Sequence, residues 1–154
     1  MTDNRDPAAG VTARQFTDDL LDAAADGAHD EVTGAVAVLA RAGPTRVAAE
    51  VADELVGRCA AAIGPRWNDA FFTVVVEDAA GRAAEVERLP PGPRAALRAL
   101  LAALNDDQPS RDIHIELATR GRPADLVAVF THLVVWYLEL SGPADLPFLS
   151  CFTE

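Results

Sequence analysis

The sequence predicts an all-α protein, a single-domain helical bundle of about six helices. Three observations carry this expectation. Apolar residues recur at three- and four-residue spacing through most of the chain. Gly-Pro pairs at Gly43-Pro44, Gly64-Pro65, Gly92-Pro93 and Gly142-Pro143, with Gly121-Arg122-Pro123 as a near match, cut the chain into helix-length segments. Hydrophobic residues make up 50% of the chain but aromatics only 6%, so alanine and valine supply much of the core, as suits closely approaching helices.

Residues 1–11 read as a disordered N-terminus, which leaves 12–154 as the domain. Thr12 and Gln15 have the spacing of a capping box at the start of a first helix, with Phe16, Leu20 and Ala24 on one side and a stop near Gly27. A second helix, about His29 to Ala42, carries Val32, Val36 and Leu39. A third, about Thr45 to Ile63, carries Val47, Val51, Leu55 and Cys59. "PRAALRALLAAL", Pro93 to Leu104, is a strong helix former after its initial proline. The segment Leu126 to Leu140 is apolar over more of its circumference than any other, which marks it as the centre of the bundle.

Two segments have mixed signals. "FFTVVVED", Phe71 to Asp78, is rich in β-branched residues; as a helix it places Trp67, Phe71, Val74 and Val75 on one face. "DIHIEL", Asp112 to Leu117, alternates polar and apolar residues. An α+β fold with short strands near 71–78 and 112–117 is therefore the alternative. Leu39–Val56 aligns without gaps on Leu117–Val134, matching Leu-Ala, a glycine and the final Leu-Val. If this weak similarity reflects structure, each copy is a helix, a Gly-bounded turn and a second helix. That favours helix for 112–117, and helix is the expectation for both segments. "PADLPFLSCFTE" at the C-terminus holds Leu146, Phe148, Leu149 and Phe152, too apolar a set for a free tail, and is expected to lie across the core, the alternative being that it reaches a second subunit or a partner.

The formal net charge is −11, with 6 Arg against 13 acids in residues 1–77 (−7) and 7 Arg against 11 acids in 78–154 (−4). A surface of this sign repels phosphate, so neither nucleic acid nor an anionic membrane is expected as a partner. All 13 basic residues are Arg, which together with abundant Ala, Val, Gly and Pro matches a GC-rich coding sequence. Salt adaptation would leave a similar excess of acid. The N-terminus lacks the apolar core of a signal peptide, and no run reaches about 18 uninterrupted apolar residues, so a cytoplasmic location is the default expectation. Cys59 and Cys151 show no metal-site spacing and read as reduced thiols packed as small hydrophobes.

Positions seven apart nearly coincide on a helix, so Asp125, His132 and Glu139 form a narrow polar seam on the central helix, bordered by Trp136. These four are the ligand or interface candidates. A histidine near neutral pH, adjusted by neighbouring acids, suits proton transfer or recognition; the bland alternative is a polar edge satisfied within the fold. Two helical turns separate His132 from each acid, so these groups alone form no hydrogen-bonded relay. Asp18, Asp19, Asp22 and Asp26 form an acidic face with no Arg in the run, either a docking face for a basic partner or a solvated surface. His114-Ile115-Glu116 has the His-x-Glu of zinc deaminases but lacks their Pro-Cys-x-x-Cys partner, and His29-Asp30-Glu31 reads as a helix start. No metal site, cofactor or catalytic residue is expected, since GxSxG, P-loop and GxGxxG patterns are absent.

By elimination these features point to a non-catalytic helical protein–protein interaction module, a homodimer being one form of it, docking through its apolar surface or its acidic face. A small-ligand-binding protein or enzyme with a pocket near His132 and Trp136 is the second reading. A transcriptional regulator is the third, on the strength of "TRVAAEVADELVGR", although "CAAAI" follows where a turn and recognition helix should begin.

Overall fold

Prolines open most of the helices. The computed structural model describes residues 7–63, 71–142 and 149–151. Over these it contains α1 (Pro7–Ala25), α2 (His29–Ala42), α3 (Thr45–Ile63), α4 (Pro91–Leu104), α5 (Gln108–Thr119) and α6 (Pro123–Leu140). Pro7, Pro91 and Pro123 occupy first helical positions and Pro109 the second, where a missing N–H leaves no intrahelical bond unmade. The only strands among the described residues are β1 (Val76–Glu77) and β2 (Ala83–Ala84), an antiparallel pair in the register Val76↔Ala84 and Glu77↔Ala83. The protein is an all-α helical bundle with this small hairpin attached.

Local chemistry ends and restarts the helices. After α1, Gly27 takes φ 73° and Ala28 N–H returns to Ala23 O at 2.9 Å, the six-to-one bond of a Schellman cap. The same device ends α4, but there Asp106 holds the left-handed position at φ 54° and Asp107 N–H reaches Ala102 O at 2.9 Å. Asp107 then caps α5 by accepting the Ser110 N–H at 3.2 Å, so one short turn both stops a helix and starts its antiparallel neighbour. At the start of α6, the Asp125 carboxylate accepts from Arg122 N–H at 3.0 Å and Arg122 Nε at 3.3 Å.

α6 packs against all five other helices. It contributes Val129, Phe130, Leu133 and Trp136, all without exposed surface, and Leu126, Val134 and Leu140 are buried beside them. Facing it are Val51, Ala52, Leu55, Val56 and Cys59 of α3, Val36 and Leu39 of α2, and an alanine-rich side of α4 that includes Ala96 and Ala99. Close approach is visible at Gly92, where a Cβ would lie 2.8 Å from Val129 Cγ2. By length and composition α6 is apolar enough to cross a membrane. Its place at the centre of the bundle accounts for that composition.

The structure alters several of the expected boundaries. α1 begins at Pro7, not at Thr12, so the expected disordered segment is helical over 7–11 and its remainder lies outside the described residues. Thr12 and Gln15 are inside the helix, and Gln15 Nε2 donates to Asp19 Oδ1 at 2.9 Å instead of closing a capping box. "DIHIEL" is helical, within α5. "FFTVVVED" is not: it runs extended into β1, and Trp67, proposed to share its helical face, lies outside the described residues. β-branched Val74, Val75 and Val76 in succession suit a pleated backbone better than a helix. The two aligned segments are each a helix, a Gly-containing turn and a helix, but not packed hairpins; α2 lies mainly on α1 and α6, not on α3.

Phe130 sits at the centre of this packing with no exposed surface. Truncation in Phe130→Ala should remove about 3–5 kcal/mol of stability, read as a large drop in the urea midpoint at unchanged m-value.

Candidate functional site

The polar seam of α6 is occupied by the protein itself. His132 is 3% exposed, and its Nδ1 lies 2.6 Å from Ala128 O. A carbonyl can only accept, so Nδ1 carries the proton. The His132 ring meets Trp136 edge-on, with centroids 5.8 Å apart and planes at 73°. Trp136 Nε1 donates to Ser150 O at 2.7 Å. Glu139 takes two hydrogen bonds from the same residue, Ser150 N–H at 2.9 Å and Ser150 Oγ–H at 2.8 Å. The segment 149–151 thus lies across α6, with Leu149 and Cys151 packed against the core, as its apolar composition suggests. Leu146, Phe148 and Phe152 lie outside the described residues.

Asp125 does not join this cluster. It is spent at the start of α6, two turns from His132, where its hydrogen bonds to Arg122 orient the first turn. The four candidates therefore hold local structure: Asp125 anchors a helix start, His132 bonds its own helix backbone, and Trp136 with Glu139 ties down the C-terminal segment. Ser150, which accepts one of these bonds and donates two, was not singled out in the sequence; an isolated serine in an apolar tail carries no signal of its own.

The acidic face is divided in the same way. Asp18 forms an ion pair with Arg58 of α3, brought from 40 residues away, and that contact holds the Arg58 guanidinium above its ordinary pKa. Asp19 accepts from Gln15, while Asp22 and Asp26 are exposed. Other arginines act similarly. Arg111 of α5 donates from Nε to Asp53 Oδ1 at 2.8 Å and from its Nη2 to Asp53 O at 3.0 Å, joining α5 to α3.

His114 and Glu116 diverge, as their spacing on a helix requires: Glu116 is exposed, whereas His114 Nδ1 is buried without a hydrogen-bond partner. No group of three or more metal-ligating side chains occurs among the described residues. Burial, helped by Arg98 and opposed by Asp107, pushes the His114 pKa below its ordinary value. Burial likewise pushes the Cys59 thiol up to about 12. Cys59 Sγ lies 3.6 Å from Leu133 O between α3 and α6. The Cys151 thiol is raised as well, by burial and then by Glu139.

A different feature, not recognised in the sequence, lies on the segment before β1. Phe71 is 82% exposed and Val75 is 76% exposed. Between them the residues alternate, with Phe72, Val74 and Val76 turned to the core. Asn105, at the end of α4, accepts the Phe72 N–H at 2.8 Å and donates to Phe72 O at 3.0 Å, so its amide pairs as a neighbouring strand would. The β-branched run can be read in "FFTVVVE" but the in–out placement cannot, because apolar residues stand on both sides; the pairing with Asn105, 33 residues away, is what fixes it.

No protein-family model, curated protein or solved structure matches this chain. The functional reading rests on the geometry alone.

Two outcomes follow from these contacts. Glu139→Gln should weaken the docking of residues 149–151 by about 1.5 kcal/mol, roughly tenfold in their opening equilibrium, with Cys151 labelling by a thiol reagent accelerating accordingly while Cys59 stays protected until global unfolding. For His114, the folded state holds the proton less readily than the unfolded chain. Its contribution is therefore intact above the ordinary histidine range and lost as pH falls through that range toward the depressed folded value. Urea midpoints measured between about pH 7.5 and pH 5 should fall less steeply in His114→Gln than in the native protein.

Proposed function

We propose that the protein is a non-catalytic interaction module that docks through the extended segment 71–77, within the cytoplasm. The observation that supports this reading is the outward placement of Phe71 and Val75 on an uncharged stretch. Large apolar side chains at this exposure, held on an ordered backbone, have the character of contact residues awaiting a partner. Of the two docking routes considered, the apolar one is favoured, because Arg58 already neutralises part of the acidic face.

A ligand pocket at His132 and Trp136 has less support, since the Trp136 N–H, the His132 Nδ1–H and both Glu139 oxygens are engaged within the chain. Regulation through DNA has less still, given a net charge of −11.

A benzophenone side chain introduced at position 71, and separately at position 22 on the acidic face, tests the proposal in cells. Irradiation should give discrete protein adducts from position 71 and none from position 22. Adducts from neither position would refute an interaction module of this kind, and adducts from position 22 alone would move the docking site to the acidic face.

A further inference from the structure

The segment that carries the proposed docking has one covered edge and one open edge, and the geometry points to a second copy of this chain as the strand that completes it. This inference rests on the interaction-module reading above and names its partner.

Backbone groups of a strand alternate between its two edges. Asp78 N–H reaches Arg82 O at 2.9 Å, so the even-numbered residues face β2. Phe72 faces the same way, and there its N–H and C=O are both taken by Asn105. Phe71, Thr73, Val75 and Glu77 therefore direct their N–H and C=O groups to the opposite side. Among the described residues, none of these four has a hydrogen-bond partner on that side.

Folded proteins protect such an edge with charge, proline or a covering element. Phe71 to Val76 contains no charge and no proline. Charge permits a second copy at this edge, and the register is what makes it self-complementary. A chain of net charge −11 repels its own copies over most of its surface, yet this stretch is neutral. An antiparallel pairing of two copies sets Phe71 opposite Glu77 of the second copy and Thr73 opposite Val75. Each outward-facing residue then finds hydrogen-bonding partners, and Glu77 never faces Glu77. On the exposed face, Phe71 lies diagonal to Val75 of the other copy, within reach of an aromatic ring. A foreign basic strand would need acidic residues along the edge to recruit it, and Glu77 at the end is the only one. The product is a four-stranded antiparallel sheet, β2–β1–β1–β2, running through the two-fold axis.

An edge this short buries less than a standard interface of about 1,200–2,000 Å², so association is expected at a dissociation constant on the order of 10–1,000 µM. Sedimentation equilibrium of the full chain from about 1 µM to 1 mM should therefore show monomer giving way to dimer. Amide exchange followed by NMR should slow at Thr73 and Val75 with rising concentration and stay unchanged at Val74. Val75→Pro removes an N–H that bonds nothing within the chain and a side chain that is largely exposed, so the fold should persist while dimer is lost at every concentration. Val75→Asp keeps the N–H but places charge at the pairing centre, and should weaken association at least tenfold. Ile113→Asp, on α5 and also exposed, should leave it unchanged.

A protein that stays monomeric to 1 mM overturns the inference. So does a dimer indifferent to both Val75 variants, or one whose Thr73 and Val75 amides remain fast. If the position 71 adduct holds a different protein and no self-association is seen, self-pairing is wrong while the interaction-module reading stands.

Discussion

The constraint on which the structure depends is that α6 is apolar around nearly its whole circumference. Such a helix is drawn to the centre, because uncovering most of its sides would expose Val129, Phe130, Leu133 or Trp136 to water, and only the edge carrying Ala124, Thr131 and Leu138 stays open. The remaining helices form a jacket around it, and each touches it. The jacket must also deal with the few polar atoms α6 carries. His132 is settled by the Ala128 carbonyl of its own helix, and Trp136 and Glu139 by Ser150 from the C-terminal segment. Leaving the Trp136 N–H buried and unbonded would cost about 1–3 kcal/mol, a penalty that Ser150 O in the C-terminal segment avoids.

The jacket is made of small side chains. Alanine-rich faces on α3 and α4 let backbones approach closely, and at Gly92 the α4 backbone packs directly on the Val129 side chain of α6. Small residues contribute little area apiece, so the outer helices are also held by arginines reaching between them, Arg58 from α3 to α1 and Arg111 from α5 to α3. These contacts are half-exposed and individually modest. Their effect on the surface is larger, because they neutralise acids at the helix junctions and leave the unpaired acid to the outer faces.

The region between α3 and α4 departs from this plan. Its backbone is extended, it is held by the Asn105 amide on one side, and it turns Phe71 and Val75 outward. Among the other described residues most buried polar groups are paired, His114 Nδ1 and Glu50 Oε2 being exceptions, and most large apolar side chains are covered. An extended strand cannot pair all its groups alone, since half of its backbone groups always point away from whatever it packs on. The proposed docking is placed here for the same reason that α6 is buried: unsatisfied surface favours being covered.

The sequence by itself determined the helices and their centre. Proline placement, glycine punctuation and three-to-four spacing located α2, α3, α4 and α6, and an apolar segment broken only by a narrow polar seam identified α6 as the core, because these are properties of consecutive residues; α5 is favoured as helix only through a weak internal similarity. It also showed that residues 149–151 belong to a segment too apolar to be free. Tertiary structure alone decided what the polar residues do. Asp18 looked unneutralised until Arg58 was brought to it, His132 and Glu139 looked available until Ala128 O and Ser150 filled their valences, and 71–77 could be helix or strand until Asn105 supplied the missing ladder partner. Each of these depends on a hydrogen-bonding group from elsewhere in the fold. Periodicity records which face of an element is buried, but not which polar atom from another element will meet it.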